Sequence, residues 1–200
     1  MPPQADLQVI SGRLERGEID STEYLQQLTR FVADQIGCTR AGVRVFIDTP
    51  RGRALRCVAM YDATLDRMVG AADMHNADEG PYFERLLHDG CVSAAHARID
   101  RVTAGLLDEY LLPANVSSLM DMCFSVNGVL FGTFSCEQVG TPADWSQRQL
   151  QSLRKIASRA SLSLMHAVST GVDTAPGALW ESSTPNRLAT MPVPLDLQPK

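Results

Sequence analysis

The sequence predicts an α+β fold, an α/β sandwich in which helices from both ends of the chain share one face of an antiparallel sheet and a ligand pocket occupies the other. Three observations lead there. Capping-box pairs open a helix near each end, Asp20 with Glu23 and Ser146 with Gln149. Between them the hydrophobic period changes from helical to two, as strands require. Asn127-Gly128 then joins two such runs, the pairing that a two-residue hairpin turn favours.

Taken in order, Leu7, Ile10 and Leu14 mark a first amphipathic helix, broken near Gly17, whose apolar side suits either the next helix or another subunit. The second helix spans 21–36, with Leu25, Leu28, Val32 and Ile36 at helical spacing and Gly37 as its stop. From Gly42, Val43, Val45 and Ile47 alternate with Arg44, Phe46 and Asp48, and Pro50-Arg51-Gly52 turns the chain into a partner strand over Ala54 to Asp62. That strand has apolar groups on both faces and is expected to be covered on both. Arg44 could face a cavity and recognise a charged ligand, but it is expected to be solvated on an open sheet face.

Residues 63–116 are less regular. A helix is predicted at Tyr82 to His88, a strand at Cys91 to Ala95, and a helix at Thr103 to Leu112 ended by Pro113, short helices that could line a cavity. Arg98, Asp100 and Arg101 are expected to form local ion pairs. Strands follow over Ser118 to Val126 and Val129 to Val139. Met120, Met122, Phe124, Phe134 and Cys136 fall on a greasy face, while Asp121, Cys123, Ser125, Thr133, Ser135 and Glu137 fall on a polar one. The last helix carries Leu150, Leu153, Ile156, Ala157, Ala160 and Leu164 on one stripe to about His166. The chain thus divides into a helical lead-in (1–19), a sensor-sized domain (20–167) and a Pro-rich tail (168–200) expected to be flexible, with Leu179-Trp180 as a docking candidate.

A net charge of −5 without basic clusters gives no footprint for nucleic acid. The N-terminus lacks a signal-peptide pattern and no run approaches a membrane span, so a cytoplasmic location without membrane contact is expected. Cys38, Cys57, Cys91, Cys123 and Cys136 are an odd, irregularly spaced set, read as reduced and mostly buried thiols. His88, Cys91 and His96 match no strong zinc spacing, and no metal site is assigned.

Several stretches carry a resemblance to a known family: Leu55-Arg56-Cys57 through Tyr61-Asp62, Ala97-Arg98-Ile99-Asp100-Arg101, Tyr110-Leu111-Leu112-Pro113, Ser117-Ser118-Leu119-Met120-Asp121, and Asn127-Gly128-Val129-Leu130-Phe131-Gly132 running to Glu137, with Trp145 heading the last helix. Over roughly residues 7–166 the chain resembles GAF domains, in particular those attached to bacterial sensor kinases and diguanylate cyclases. The resemblance implies a small-molecule pocket between the sheet and the segment around residues 80–116, with activity residing in another domain. No cyclic-nucleotide signature is visible, and no cysteine is followed by the His that commonly accompanies bilin attachment.

Asp121 and Glu137 come from strands expected to be central, where an unpaired carboxylate is costly, so each needs a partner or a ligand. With the pocket that the resemblance implies, the ligand-binding set is Asp121, Glu137, Cys123 and Ser135 on the sheet, with Tyr82, Phe83 and Tyr110 from the covering segment; the resemblance puts Tyr61 near the mouth as well, ring packing in a core being the other use of these aromatics. No catalytic residue and no cofactor is assigned, and the chain is expected not to be an enzyme. The expected function is a sensory or regulatory domain in signal transduction, working through an unidentified small-molecule ligand and a signalling protein in trans, as a homodimer formed by the first and last helices. The alternatives are an interaction module whose pocket is filled by its own side chains, and a cysteine-dependent free methionine sulfoxide reductase using Cys91 with Cys123 or Cys136.

Overall fold

The computed structural model describes residues 6–75, 80–126 and 128–169, with the side chains of 126 and 164–169 left aside. Asn127, Leu164, His166 and the tail with Leu179-Trp180 therefore lie outside what is described. Two helices open the fold, α1 (Leu7–Glu15) and α2 (Ser21–Ile36). Asp20 accepts a 2.8 Å hydrogen bond from the Glu23 amide, and Gly37 ends α2 in the left-handed region (φ 72°), as the capping pattern predicts. At the other end α4 (Gln147–Ser169) starts on a reciprocal box: the Gln149 amide donates to Ser146 Oγ at 3.2 Å and the Ser146 amide donates to Gln149 Oε1 at 2.8 Å.

The strands are β1 (Arg40–Thr49), β2 (Gly52–Asp62), β3 (Arg67–Met68), β4 (Met74–His75), β5 (Cys91–Ala94), β6 (Val116–Val126) and β7 (Val129–Val139). They form one sheet in the order β3-β2-β1-β7-β6-β5, with β4 added on β2, and every pairing is antiparallel. Strand β1 lies between β2 and β7, which pair with it on both edges over Arg40–Val45. A bulge at Val43/Arg44 leaves Val58 of β2 without an opposite residue and keeps Arg44 across from Cys57.

The sheet separates two cores. Behind it, Leu14 of α1, Tyr24, Leu28 and Val32 of α2, and Leu153, Ile156 and Ala160 of α4 pack on Val43, Val45, Met120, Met122, Phe134 and Cys136. Helix α1 joins this layer rather than standing apart, touching both α2 and α4. In front, Phe46, Leu55 and Leu119 meet Met74, Leu86 of helix α3 (Pro81–Asp89), and Leu106, Tyr110 and Leu111. The front face is therefore covered, not open.

The segment predicted as a helix over Thr103 to Leu112 is instead a 3₁₀ turn (Ala104–Leu106) followed by a π-helical turn (Leu107–Leu111), closed by the Leu112 amide donating to the Leu107 carbonyl at 2.9 Å. The widened turn has a reason. It brings Leu106, Tyr110 and Leu111 all to the buried side, where regular α spacing would rotate Leu111 away. The short strands β3 and β4 carry no alternating run long enough to be read from sequence. Arg98 donates to the Val116 carbonyl (2.8 Å) and to Asn115 Oδ1 (2.6 Å), and Asp100 accepts from the Val102 amide, so these residues fix the loop by hydrogen bonds where ion pairs were expected.

Candidate functional site

The strand register assembles a polar cluster at the middle of the front face. On β7, Thr133, Ser135 and Glu137 point forward at successive two-residue steps. Ser135 stands opposite Asp121 of β6 on one side and Gly42 of β1 on the other, and Thr133 stands between Cys123 and Arg44. Arg44, Asp121, Thr133, Ser135 and Glu137 are all 0% exposed. Two tyrosines close over them: Tyr82 from α3, whose hydroxyl donates to Asp121 Oδ2, and Tyr110 from the π turn, whose hydroxyl donates to Glu137 Oε1.

Arg44 holds the centre. Its Nη1 donates to the Ala72 carbonyl at 2.8 Å and its Nη2 donates to the Tyr110 hydroxyl; Nη2 also lies 3.7 Å from Glu137 Oε1, and the guanidinium sits 4.8 Å from the centroid of the Tyr110 ring. The expectation that Arg44 is solvated is thus corrected. With β1 paired on both edges and its front face roofed, the side chain has no path to water, and a buried cation requires the partners it has. Burial works against its charge, but Tyr110, Cys57 and the two carboxylates raise its pKa further above the ordinary value.

Burial pushes Asp121 up to about 6, with hydrogen bonding from Ser135 and Tyr82 and the attraction of Arg44 opposing the rise and the charge of Glu137 adding to it. The two tyrosine hydroxyls are held well above their usual range, foremost by burial. After these contacts, five polar atoms of the cluster still lack a well-formed hydrogen bond among the described residues: Arg44 Nε, Asp121 Oδ1, Thr133 Oγ1, Ser135 Oγ and Glu137 Oε2. Each such buried group costs about 1–3 kcal/mol when left unpaired.

Of the residues expected at the site, Asp121, Glu137, Ser135, Tyr82 and Tyr110 come together. Cys123 lies on the same face and packs against the front core, its thiol donating to the Leu86 carbonyl at 3.4 Å. Phe83 packs edge-on to Tyr82 (centroids 5.2 Å apart) within the apolar part of the front core and does not reach the polar groups. Tyr61 is on the helix side of the sheet, its hydroxyl donating to Asp66, so it is not at the mouth.

The thiols are not arranged as a redox pair at this site. Cys91 is in register with Met122 and packs on the helix side, whereas Cys123 faces front, and Cys136 is fully buried behind the sheet. Burial also pushes the Cys123 thiol up to about 12, the opposite of what a nucleophilic thiolate needs. Among the described residues no three His, Cys, Asp or Glu side chains converge as a metal site.

Sequence reasoning ranked an inward Arg44 second to a solvated one, and it missed the Ala72 carbonyl that accepts from Arg44 and the Met74 sulfur beside the Tyr82 hydroxyl. The alternation of Val43, Val45 and Ile47 with Arg44, Phe46 and Asp48 is the pattern of a strand with one solvated face, so nothing local marks Arg44 as buried. Nothing local marks the 69–75 segment.

No protein-family profile matches the sequence, and no curated protein matches it either. Solved structures do match in chain course. The phycoerythrobilin-bound GAF domain of a cyanobacterial phytochrome is 16% identical, with 82% of this chain and 95% of that one covered at a TM-score of 0.63. The blue-light absorbing form of the PixJ GAF domain of Thermosynechococcus elongatus is 16% identical over 84% and 95%, at 0.60. The GAF domain of an Acinetobacter phosphoenolpyruvate-protein phosphotransferase is 16% identical over 82% and 93%, at 0.58.

Proposed function

From the premise that this chain has the GAF-domain fold, we propose that it is a sensory domain that binds a small polar molecule at the front-face cluster and passes the occupancy of that site to a partner protein. The observation that carries the reading is the set of five polar atoms without a well-formed hydrogen bond on fully buried residues beneath α3 and the π turn. A protein interior satisfies its polar groups, so a concentration of unsatisfied ones marks a place for an occupant. Similarity to GAF domains of photoreceptors and of a phosphotransferase supports a sensory role for the fold.

The arrangement also supplies a way to transmit. Tyr82 and Tyr110 sit on the carboxylates from two separate covering elements. An occupant that takes the carboxylates for itself displaces both hydroxyls and moves α3 and the π turn relative to the sheet. Val9 of α1 and Leu162 of α4, each 60% exposed, offer apolar surface for a homodimer through the helix layer.

The same two tyrosines favour a second reading, an interaction module whose pocket is filled by its own side chains, since each already occupies one oxygen of a carboxylate. Native mass spectrometry of gently purified protein, compared with the denatured mass, separates the readings. A reproducible small-molecule adduct is expected. A bare protein whose melting temperature no member of a metabolite panel raises would instead support the filled module.

A further inference from the structure

The unpartnered atoms are not balanced between donors and acceptors. Each carboxylate has one oxygen engaged by a tyrosine; Glu137 Oε2 has no further hydrogen bond, and Asp121 Oδ1 has only the neighbouring Ser135 hydroxyl, without a well-formed hydrogen bond. Arg44 has its Nη1 and Nη2 engaged, leaving Nε alone as an uncommitted donor. Thr133 and Ser135 contribute hydroxyls that serve either way. Counted formally, the buried cluster holds one cation against two carboxylates.

That inventory selects among chemical classes. An anionic group would find one committed cation with a single free N–H and would face two carboxylates at close range, an arrangement that costs more than it gains in a desolvated site. A neutral hydroxyl could satisfy one acceptor but leaves the charge excess in place. A divalent metal would find two carboxylates and no third His, Cys, Asp or Glu converging among the described residues. A protonated amine brings three N–H donors and the missing positive charge.

We propose, resting on the sensory reading above, that the occupant of this site is a small organic molecule whose protonated amine is held between Asp121 Oδ1 and Glu137 Oε2, with the Ser135 and Thr133 hydroxyls completing its shell. Any acceptor on the same molecule is met by Arg44 Nε. Drawing the carboxylates onto the amine releases the Tyr82 and Tyr110 hydroxyls, and the remainder of the molecule lies toward the elements that carry them, α3 and the π turn.

The test uses the full chain and three probes of equal length and opposite character: n-propylamine hydrochloride, sodium propionate and n-propanol, each against sodium chloride at matched ionic strength. Thermal unfolding and the near-ultraviolet circular dichroism of the tyrosines are followed together. Propylamine is expected to raise the melting temperature saturably and to change the tyrosine signal, with propionate and propanol doing neither. Asp121→Asn and Glu137→Gln, each nearly isosteric, are expected to weaken the amine response roughly tenfold or more, the worth of one charge-assisted hydrogen bond. An amine response no larger than that of sodium chloride, or one left unchanged in both variants, overturns the proposal. If propionate or propanol binds saturably instead, the amine class fails while sensing at this site stands. If no probe binds and native mass spectrometry also finds no adduct, both fail together.

Discussion

Asp121 shows how a single buried carboxylate ties the site to stability. Its pKa rises from near 4 in an unfolded chain to about 6 in the fold, foremost through burial. The sign follows from linkage: the folded state binds the proton more tightly, so the contribution of Asp121 is most favourable at low pH, below its unfolded value, and is lost as pH rises through about 6. A shift of that size corresponds to roughly 3 kcal/mol. Asp121→Asn removes the titration while keeping an acceptor for Tyr82. Urea denaturation of wild type and variant between pH 4 and 7.5 is expected to show that the variant loses less stability as pH rises; parallel curves would mean that the carboxyl is not titrating in this range.

At the scale of single elements, β7 depends on having no side chain at one position. A Cβ on Gly132 would fall 1.9 Å from the Arg44 carbonyl oxygen and 3.0 Å from the Phe124 ring. Backbone rather than a flexible side chain is in the way, so β1 itself would have to move. Gly132→Ala is therefore expected to destabilise by about 3 kcal/mol or more, the upper end for overpacking, and to disturb the tyrosine circular dichroism because Arg44 moves with its strand. A loss under about 1 kcal/mol by denaturation would show that the strands can part there.

The elements also show what a sequence can reveal and where it stops. Helices α2 and α4 declare themselves because a cap residue and an apolar stripe lie within a few residues of each other in the chain, and α2 runs over the residues that its pattern marks. The β6–β7 pairing is legible for the same reason, and its alternation placed Asp121, Ser135 and Glu137 on one face. Arg44 was misjudged because its surroundings are made by β2, β7 and the segment around Ala72, which meet it only in three dimensions. The π turn was missed because the choice between α and π spacing is made by what Tyr110 and Leu111 pack against, not by their own propensities.

Across the whole molecule, the sheet keeps two tasks apart. The core behind it is mainly apolar and carries the helix layer, while the front core holds the buried Arg44, Asp121 and Glu137 charges. If dimerisation uses the helix layer, a change at its outer surface should alter assembly without altering the site. Leu162→Lys, at a position 60% exposed, is expected to shift the protein from dimer to monomer in size-exclusion chromatography with light scattering and to leave the tyrosine circular dichroism as in wild type. A wild-type protein that runs as a monomer, or a variant that stays dimeric, removes this surface from consideration.

The two tyrosine hydroxyls on Asp121 and Glu137 have a consequence for dose response. If the cluster is the sensing site proposed above, an occupant must first dislodge these internal competitors, and the domain answers only above a threshold, because the intrinsic affinity is discounted by the fraction of molecules in the opened form. That threshold is written in residues 82 and 110, which belong to the roof and not to the floor of the site. Changing either tyrosine to Phe would lower the concentration at which the domain answers without changing which molecule it answers to, so sensitivity and selectivity are set by different parts of the same small cluster.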